Sequence, residues 1–337
     1  MSFEDGPRPV LLTGSIATDY LMTFPGRFAT QLLPDRIEQI SLSFLVDDLD
    51  VRYGGVAANI AVGMCRLGLR PVLVGGVGTD FGDYDRRLRD IGVDTTHLRI
   101  SRRHHTSRFL CTTDQDGNQI ASFYPGAMSE ARDIELATVV AAVGGVDLVV
   151  VAPNDPEAML RHTAECRQRG YPFAADPSQQ LPRFDGAEIT RLVDGARLLF
   201  VNEYESGLIT AKTGRTEGEL ARCVGVLVVT RGAGGVRVLR RGHPTLEVPA
   251  VAGVVTRDPT GGGDAFRSGF LAGIGRGLAA RRCAELGCLL ASIVLEAVGT
   301  QDYKIDVADL LHRCTATYGP TAAAEIAVAL PDPGEER

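Results

Sequence analysis

The chain has 337 residues, more than the roughly 250 to 300 at which single cores stop growing, so a large domain with a smaller appendage is expected. Its net charge of −7 argues against a nucleic-acid partner, because backbone phosphates need a concentrated basic surface, and no apolar run reaches the roughly 18 to 20 residues of a membrane span. Seven cysteines without a CxxC pair fit a reduced cytoplasmic protein better than a disulfide or zinc framework, and the polar, acidic start lacks the order of a signal peptide.

Val10 to Thr13 is the first of six short apolar, β-branched runs; Pro71 to Gly75, Leu148 to Ala152, Pro172 to Ala175, Leu198 to Val201 and Val226 to Thr230 follow. Helical periodicity fills the intervals at Ala57 to Leu67, Tyr84 to Ile91, Pro156 to Arg169 and Ala187 to Asp194. This alternation predicts a doubly wound, mostly parallel α/β sheet flanked by helices. Residues 19–50 and 104–124 break it, the second with an Asp116-Gly117 turn signal between alternating residues, and together they suggest a small β-sheet lid. An irregular insertion on the main sheet would leave the same pattern. The large domain is then 1–18, 51–103 and 125–330, with 331–337 a frayed polar tail.

The segment from Ala265 to Val298, rich in Ala and Leu, predicts one or two tightly packed helices, and the chemistry lies at its start. In Asp258-Pro259-Thr260-Gly261-Gly262-Gly263-Asp264-Ala265-Phe266, three glycines precede a helix expected to begin near Asp264. A helix N-terminus offers unpaired N–H groups and about half a positive charge, so the loop can hold a transferring phosphoryl group, and Asp264 can take the proton of an attacking hydroxyl. Asp264 alone could equally be a helix cap; the glycine run favours the catalytic reading, since glycine is entropically unfavourable unless backbone must approach something closely. Only two lysines occur, Lys212 and Lys304, so phosphate would be held by backbone amides, arginine or a metal ion.

This segment resembles the signature of the ribokinase, or PfkB, family of carbohydrate and nucleoside kinases, and five further segments resemble it in the same order. Gly14 to Asp19 is similar to its sugar-binding strand end, Gly54 to Asn59 to its first signature, and Gly75 to Gly82 to a segment closing around substrate. Asn202-Glu203-Tyr204-Glu205 fits its Asn-x-x-Glu motif, and Thr230, Arg231, Gly232, Ala233, Gly234 and Gly235 fit its nucleotide loop. The resemblance implies that Asp19 and Asn59 bind a cis-diol, that Gly55 lets the sugar approach, and that ATP lies along Asn202, Gly263 and the loop from Thr230 to Gly235. It also implies that Glu205 holds Mg2+ through water. Gly262 departs from the usual alanine. Read instead as a dinucleotide fingerprint, Gly76-x-Gly78-x-x-x-Gly82 with Asp94 would make a dehydrogenase, which leaves the triple-glycine segment unexplained.

For the acceptor, Phe109 and Phe123 flank the expected hairpin, and an odd-length turn would put both on one face to contact a purine, whereas an even one would separate them. Asp176-Pro177-Ser178-Gln179-Gln180, the stretch from Ser41 to Asp48 and that from Ser122 to Ala127 are similar to bacterial adenosine kinases. That likeness implies Ser15, Ser43, Phe109, Phe123 and Gln179 around adenosine, a homodimer paired through the lid, and stimulation by a monovalent cation such as K+ near the anion hole. A sugar kinase for ribose or another small carbohydrate is the second expectation, and a catalytically idle nucleotide-binding regulator the third.

Overall fold

The computed structural model describes residues 8–31 and 42–331, so part of the expected lid and nearly all of the expected tail lie outside the described residues. The buried run β1 (Val10–Thr13) leads into β2 (Ala17–Thr23), the short helix α1 (Phe28–Gln31) and β3 (Asp48–Gly54). Then come α2 (Val56–Arg66), β4 (Val72–Val74), β5 (Gly76–Gly78), α3 (Gly82–Ile91), β6 (Arg99–Ser101) and the hairpin β7 (Ser107–Thr113) and β8 (Gln119–Tyr124). Strands and helices alternate through α4 (Leu136–Ala142), β9 (Leu148–Val151), α5 (Pro156–Arg169), β10 (Phe173–Ala175), α6 (Gly186–Val193), β11 (Leu198–Asn202), α7 (Glu203–Thr213), α8 (Glu217–Cys223) and β12 (Val226–Thr230). The antiparallel strands β13 (Val236–Arg240) and β14 (Leu246–Val248) precede α9 (Gly262–Gly275), α10 (Ala280–Leu295), α11 (Val307–Tyr318) and α12 (Pro320–Ala327).

The main sheet has the order β14-β13-β12-β11-β10-β9-β1-β4, parallel from β12 to β4 and antiparallel only at the β13 and β14 edge. Its strands are continuously apolar because helices cover both faces. Neighbours Leu11 and Leu12, both fully buried, therefore fall in different core layers. The layer holding Leu12 includes Ile60 of α2 and Phe270 of α9, whose ring meets Phe200 of β11 edge-on at 5.4 Å. The other includes Met159 of α5 and Ile189 of α6. All six expected strands form; β13 went unseen because its Val-Arg-Val-Leu-Arg run alternates, as a strand near the sheet edge with one wetter face should.

A second sheet has the order β3-β2-β7-β8 and reaches from Ala17 to Gly54 on its first two strands, beyond the 19–50 stretch marked by sequence. Five residues join β7 to β8, with Gly117 at φ 80°. The Asp114 carboxylate accepts from the amides of Asp116 and Asn118, and from Phe28 N at 2.9 Å, tying α1 to the hairpin. Gly76 and Gly78 lie in a two-stranded sheet of β5 and β6, not in a strand-to-helix turn. A Cβ on Gly76 would lie 2.0 Å from Ala127 O, so protein backbone fills the space a dinucleotide would need, and Asp94 binds the amide of Thr96. No helix among the described residues is long and apolar enough to cross a membrane, and all seven cysteines are free thiols.

Candidate active site

Helix α9 begins at Gly262, two residues earlier than expected, with Gly261 at φ 81° as its cap. Its first helical bond runs from Ala265 N to Gly261 O, at 2.8 Å, so the N–H groups of Gly262, Gly263 and Asp264 have no acceptor in the helix. Asp264 thus sits inside the first turn, beside the donors. A Cβ on Gly261 would strike Thr300 at 2.8 Å, one on Gly262 would press Leu295 at 3.0 Å, and one on Gly263 would strike the Arg267 guanidinium at 2.9 Å. The departure at Gly262 therefore has a local partner in Leu295.

Arg267, one turn beyond Asp264, was missed by sequence reasoning. It is buried and faces the fully buried Asp176 at the end of β10, with Nη2 donating to Oδ1 at 2.6 Å and Nε 2.5 Å from Oδ2. The guanidinium also acts on Asp264 and Glu205. A lone arginine in the otherwise apolar and small-residue run Ala265 to Gly275 was the available signal, since a charge there must have a buried partner. Lys212 does not serve the phosphate site: its Nζ donates to the carbonyls of Leu181, Pro182 and Phe184. Burial raises the Asp264 carboxyl above the ordinary carboxylate value, and Arg267 and then Asn59 pull it back.

Asn59, on the first turn of α2, gives Nδ2 to Asp264 Oδ2 at 2.8 Å. Its Oδ1 already accepts from Thr300 Oγ1 and Gln301 Nε2, both at 2.9 Å. The amide therefore orients the carboxylate, and only its remaining N–H is left for a sugar hydroxyl. The residues in the expected sugar set next to it have local duties as well. Ser15 Oγ accepts from Val56 N at 3.0 Å, capping α2. Gly55, at φ 97°, has the backbone of Ser15 to Ala17 within 2.7 Å of where a Cβ would stand, so the crossing of the chain by itself requires glycine there.

Asp19 lies on β2 with its carboxylate over Gly54, 2.7 Å from the ideal Cβ position. Burial, with Asp258 adding, pushes it up to about 6. Across the second sheet, Arg52, Asp19, Phe109 and Phe123 are direct register partners and so share one face. The five-residue turn thus decides the open question about Phe109 and Phe123. The opposite face carries Leu49, Val51, Leu110, Ile120 and Tyr124, all exposed. Ser43 is exposed ahead of β3 and has no hydrogen bond to the described residues. Gln179 is exposed just beyond β10, next to Ser178, the only described non-glycine residue at positive φ, 39°.

Among the residues expected to bind nucleotide, Asn202 and Thr230 are register partners at the carboxyl ends of β11 and β12, the edge where open α/β sheets bind ligands. Asn202 and Glu205 form a capping box on α7: Oδ1 of Asn202 accepts from Glu205 N, and Oε2 of Glu205 accepts from Asn202 N, both at 2.8 Å. The loop from Arg231 to Gly235 turns β12 into β13, with Gly232, Ala233 and Gly234 exposed. Arg231 holds Gly234 O and Glu247. Gly235 is fixed by the close passage of Val248 O, 2.1 Å from an ideal Cβ.

Free amides at a helix start, with a half-buried carboxylate in the same first turn and a further set of residues at the carboxyl edge of the sheet, are the equipment of a phosphotransferase with an alcohol acceptor. The chain belongs to the pfkB carbohydrate kinase family, whose model matches residues 30–306. It is 30% identical to nucleoside kinases of Methanothermobacter thermautotrophicus, over 93% of this chain and 97% of that one, and of Methanocaldococcus jannaschii, over 74% and 81%. The solved nucleoside kinase of Burkholderia thailandensis in complex with inosine aligns with a TM-score of 0.78 at 35% identity, covering 92% of this chain and 98% of that one; another structure of it holds ADP-inosine. The fold is ribokinase-like, and the chain is a nucleoside or sugar kinase.

Proposed function

We propose that the chain transfers the γ-phosphoryl group of ATP to the 5'-hydroxyl of a purine nucleoside, adenosine foremost, giving AMP and ADP in purine salvage. The observation that carries this reading is the row of Asp19, Phe109 and Phe123 on one sheet face, a carboxylate for ribose hydroxyls beside two rings for a base. Asp19 and the free N–H of Asn59 fix the ribose. Asp264 takes the 5'-hydroxyl proton as oxygen attacks phosphorus, and the amides of Gly262 and Gly263 meet the charge on the phosphoryl oxygens. The inosine bound to the Burkholderia relative supports a purine nucleoside as acceptor, and ribose or another sugar is the second reading.

Asp176, Asp264 and Glu205 all act on the single guanidinium of Arg267, so carboxylates outnumber the cation there. No cluster of three metal-binding side chains exists among the described residues, so Mg2+ would be held mainly by phosphate and water, with Glu205 reaching it through water. It would supply charge neutralisation for the phosphates. For a monovalent cation near the anion hole no residue set is defined, and no step is derived through it. The exposed apolar face of the second sheet supports pairing of two copies through the lid.

An ATP-consumption panel of adenosine, inosine, guanosine, cytidine, ribose and fructose phosphates tests the acceptor. Activity confined to sugars sinks the nucleoside reading, and none at all favours a regulator. Asp264→Asn should keep ATP binding and lose about 10²- to 10⁴-fold in kcat.

A further inference from the structure

We propose that Gln301 is a positioning residue for Asp264, acting through the Asn59 amide and anchored to the second sheet through Tyr84. Gln301 is 1% exposed, in the turn after α10. Its Nε2 donates to Asn59 Oδ1 at 2.9 Å and to the Tyr84 hydroxyl at 2.6 Å. Tyr84, itself 2% exposed, donates its one hydroxyl proton to Gly54 O at 2.9 Å.

The direction of this chain is forced by its members. Gly54 O is only an acceptor, so the Tyr84 oxygen can only accept from Gln301, and Gln301 must present its NH2 side. Asn59 Oδ1 then receives two donors, from Gln301 and Thr300, which holds the amide against a flip. Its Nδ2 is obliged to face Asp264 Oδ2, a pairing that favours the ionised, acceptor-only carboxylate and leaves Oδ1 for the incoming hydroxyl. The chain starts at Gly54 of β3, beneath the Asp19 carboxylate of β2, and ends at the base, so the sheet that would hold the ribose also sets the carboxylate.

Gln301 Oε1 is buried and accepts no hydrogen bond from the described residues. A native interior rarely keeps an unsatisfied polar atom, and a leucine of similar shape would remove the penalty. Both hydrogen bonds of the side chain thus run from its donors, to Asn59 and to Tyr84. Besides Asn59, the groups around Asp264 are Arg267 on its own helix, Asp176 at the end of β10, Glu205 on α7 through Arg267, and Tyr303 beyond Gln301. Gln301→Leu alters none of these charges.

The inference uses the reading of Asp264 as the base. In Gln301→Leu, with ATP and the best acceptor from the panel, kcat should fall about 10- to 100-fold while KM for ATP stays within about twofold, because only the base is misplaced. The acid limb of the kcat profile should move to higher pH, since the Asn59 amide can turn its oxygen to the carboxylate. Thermal stability should hold or rise. Tyr84→Phe should act in the same direction but less. Wild-type kcat and an unmoved acid limb in Gln301→Leu, alongside loss in Asp264→Asn, would overturn this inference alone. A joint fall of Tm, kcat and ATP affinity would also overturn it, by making Gln301 structural. Near-normal turnover of Asp264→Asn would remove the base reading and this inference with it.

Discussion

Arg267→Gln should destabilise the ligand-free protein, and increasingly so as pH rises. The variant leaves the fully buried Asp176 carboxylate without the guanidinium that meets both its oxygens. Breaking a buried pair by removing one partner costs about 3 to 5 kcal/mol. The pH dependence has a definite sign. Burial raises Asp176 from 3.8 to about 7 in the folded protein even with Arg267 pulling it back. A raised folded value means the folded state holds the proton more tightly, so this group's contribution falls as pH climbs from 3.8 and levels off above about 7. Without Arg267 the folded value moves higher still. The stability gap between variant and wild type should then widen by about 1.4 kcal/mol for each pH unit above neutral. Urea unfolding at three pH values from neutral to mildly alkaline, with m-values compared, measures the gap. Curves that stay parallel, with a gap under about 1 kcal/mol, would refute the account of this pair.

Gly262→Ala should gain about 1 kcal/mol of helix propensity and lose about 1 to 3 to its contact with Leu295, giving a net change near zero or unfavourable; adding Leu295→Val should turn it favourable, read as Tm in a double-mutant cycle. Buried His162, held by Thr13 and Ile134 O, is pushed down to about 4 by burial, so it contributes stability that is lost as pH falls from about 6.5 toward 4. The loss should approach about 3 kcal/mol, followed by urea unfolding across that window, and the slope should vanish in His162→Gln. Val51→Lys on the apolar sheet face should shift light-scattering mass from dimer to monomer with kcat little changed; a wild-type monomer would remove the lid-pairing proposal.

The sequence by itself determined the parallel sheet, because strands covered by helices on both faces must be continuously apolar and their runs stand out, as Leu148 to Val151 shows. It also marked the glycine-rich helix start with Asp264, since neighbouring residues carry both the donors and the carboxylate. Only the tertiary structure decided what depends on residues far apart in the chain. Register put Asp19, Phe109 and Phe123 on one face; a turn one residue shorter or longer would have parted the two rings. Folding brought Arg267 to Asp176, 91 positions away, and Gln301 to Asn59, 242 away. It also assigned the amides of Asn59 and Asn202 to orienting and capping work, because whether a polar side chain is free for a ligand depends on which neighbours have already satisfied it.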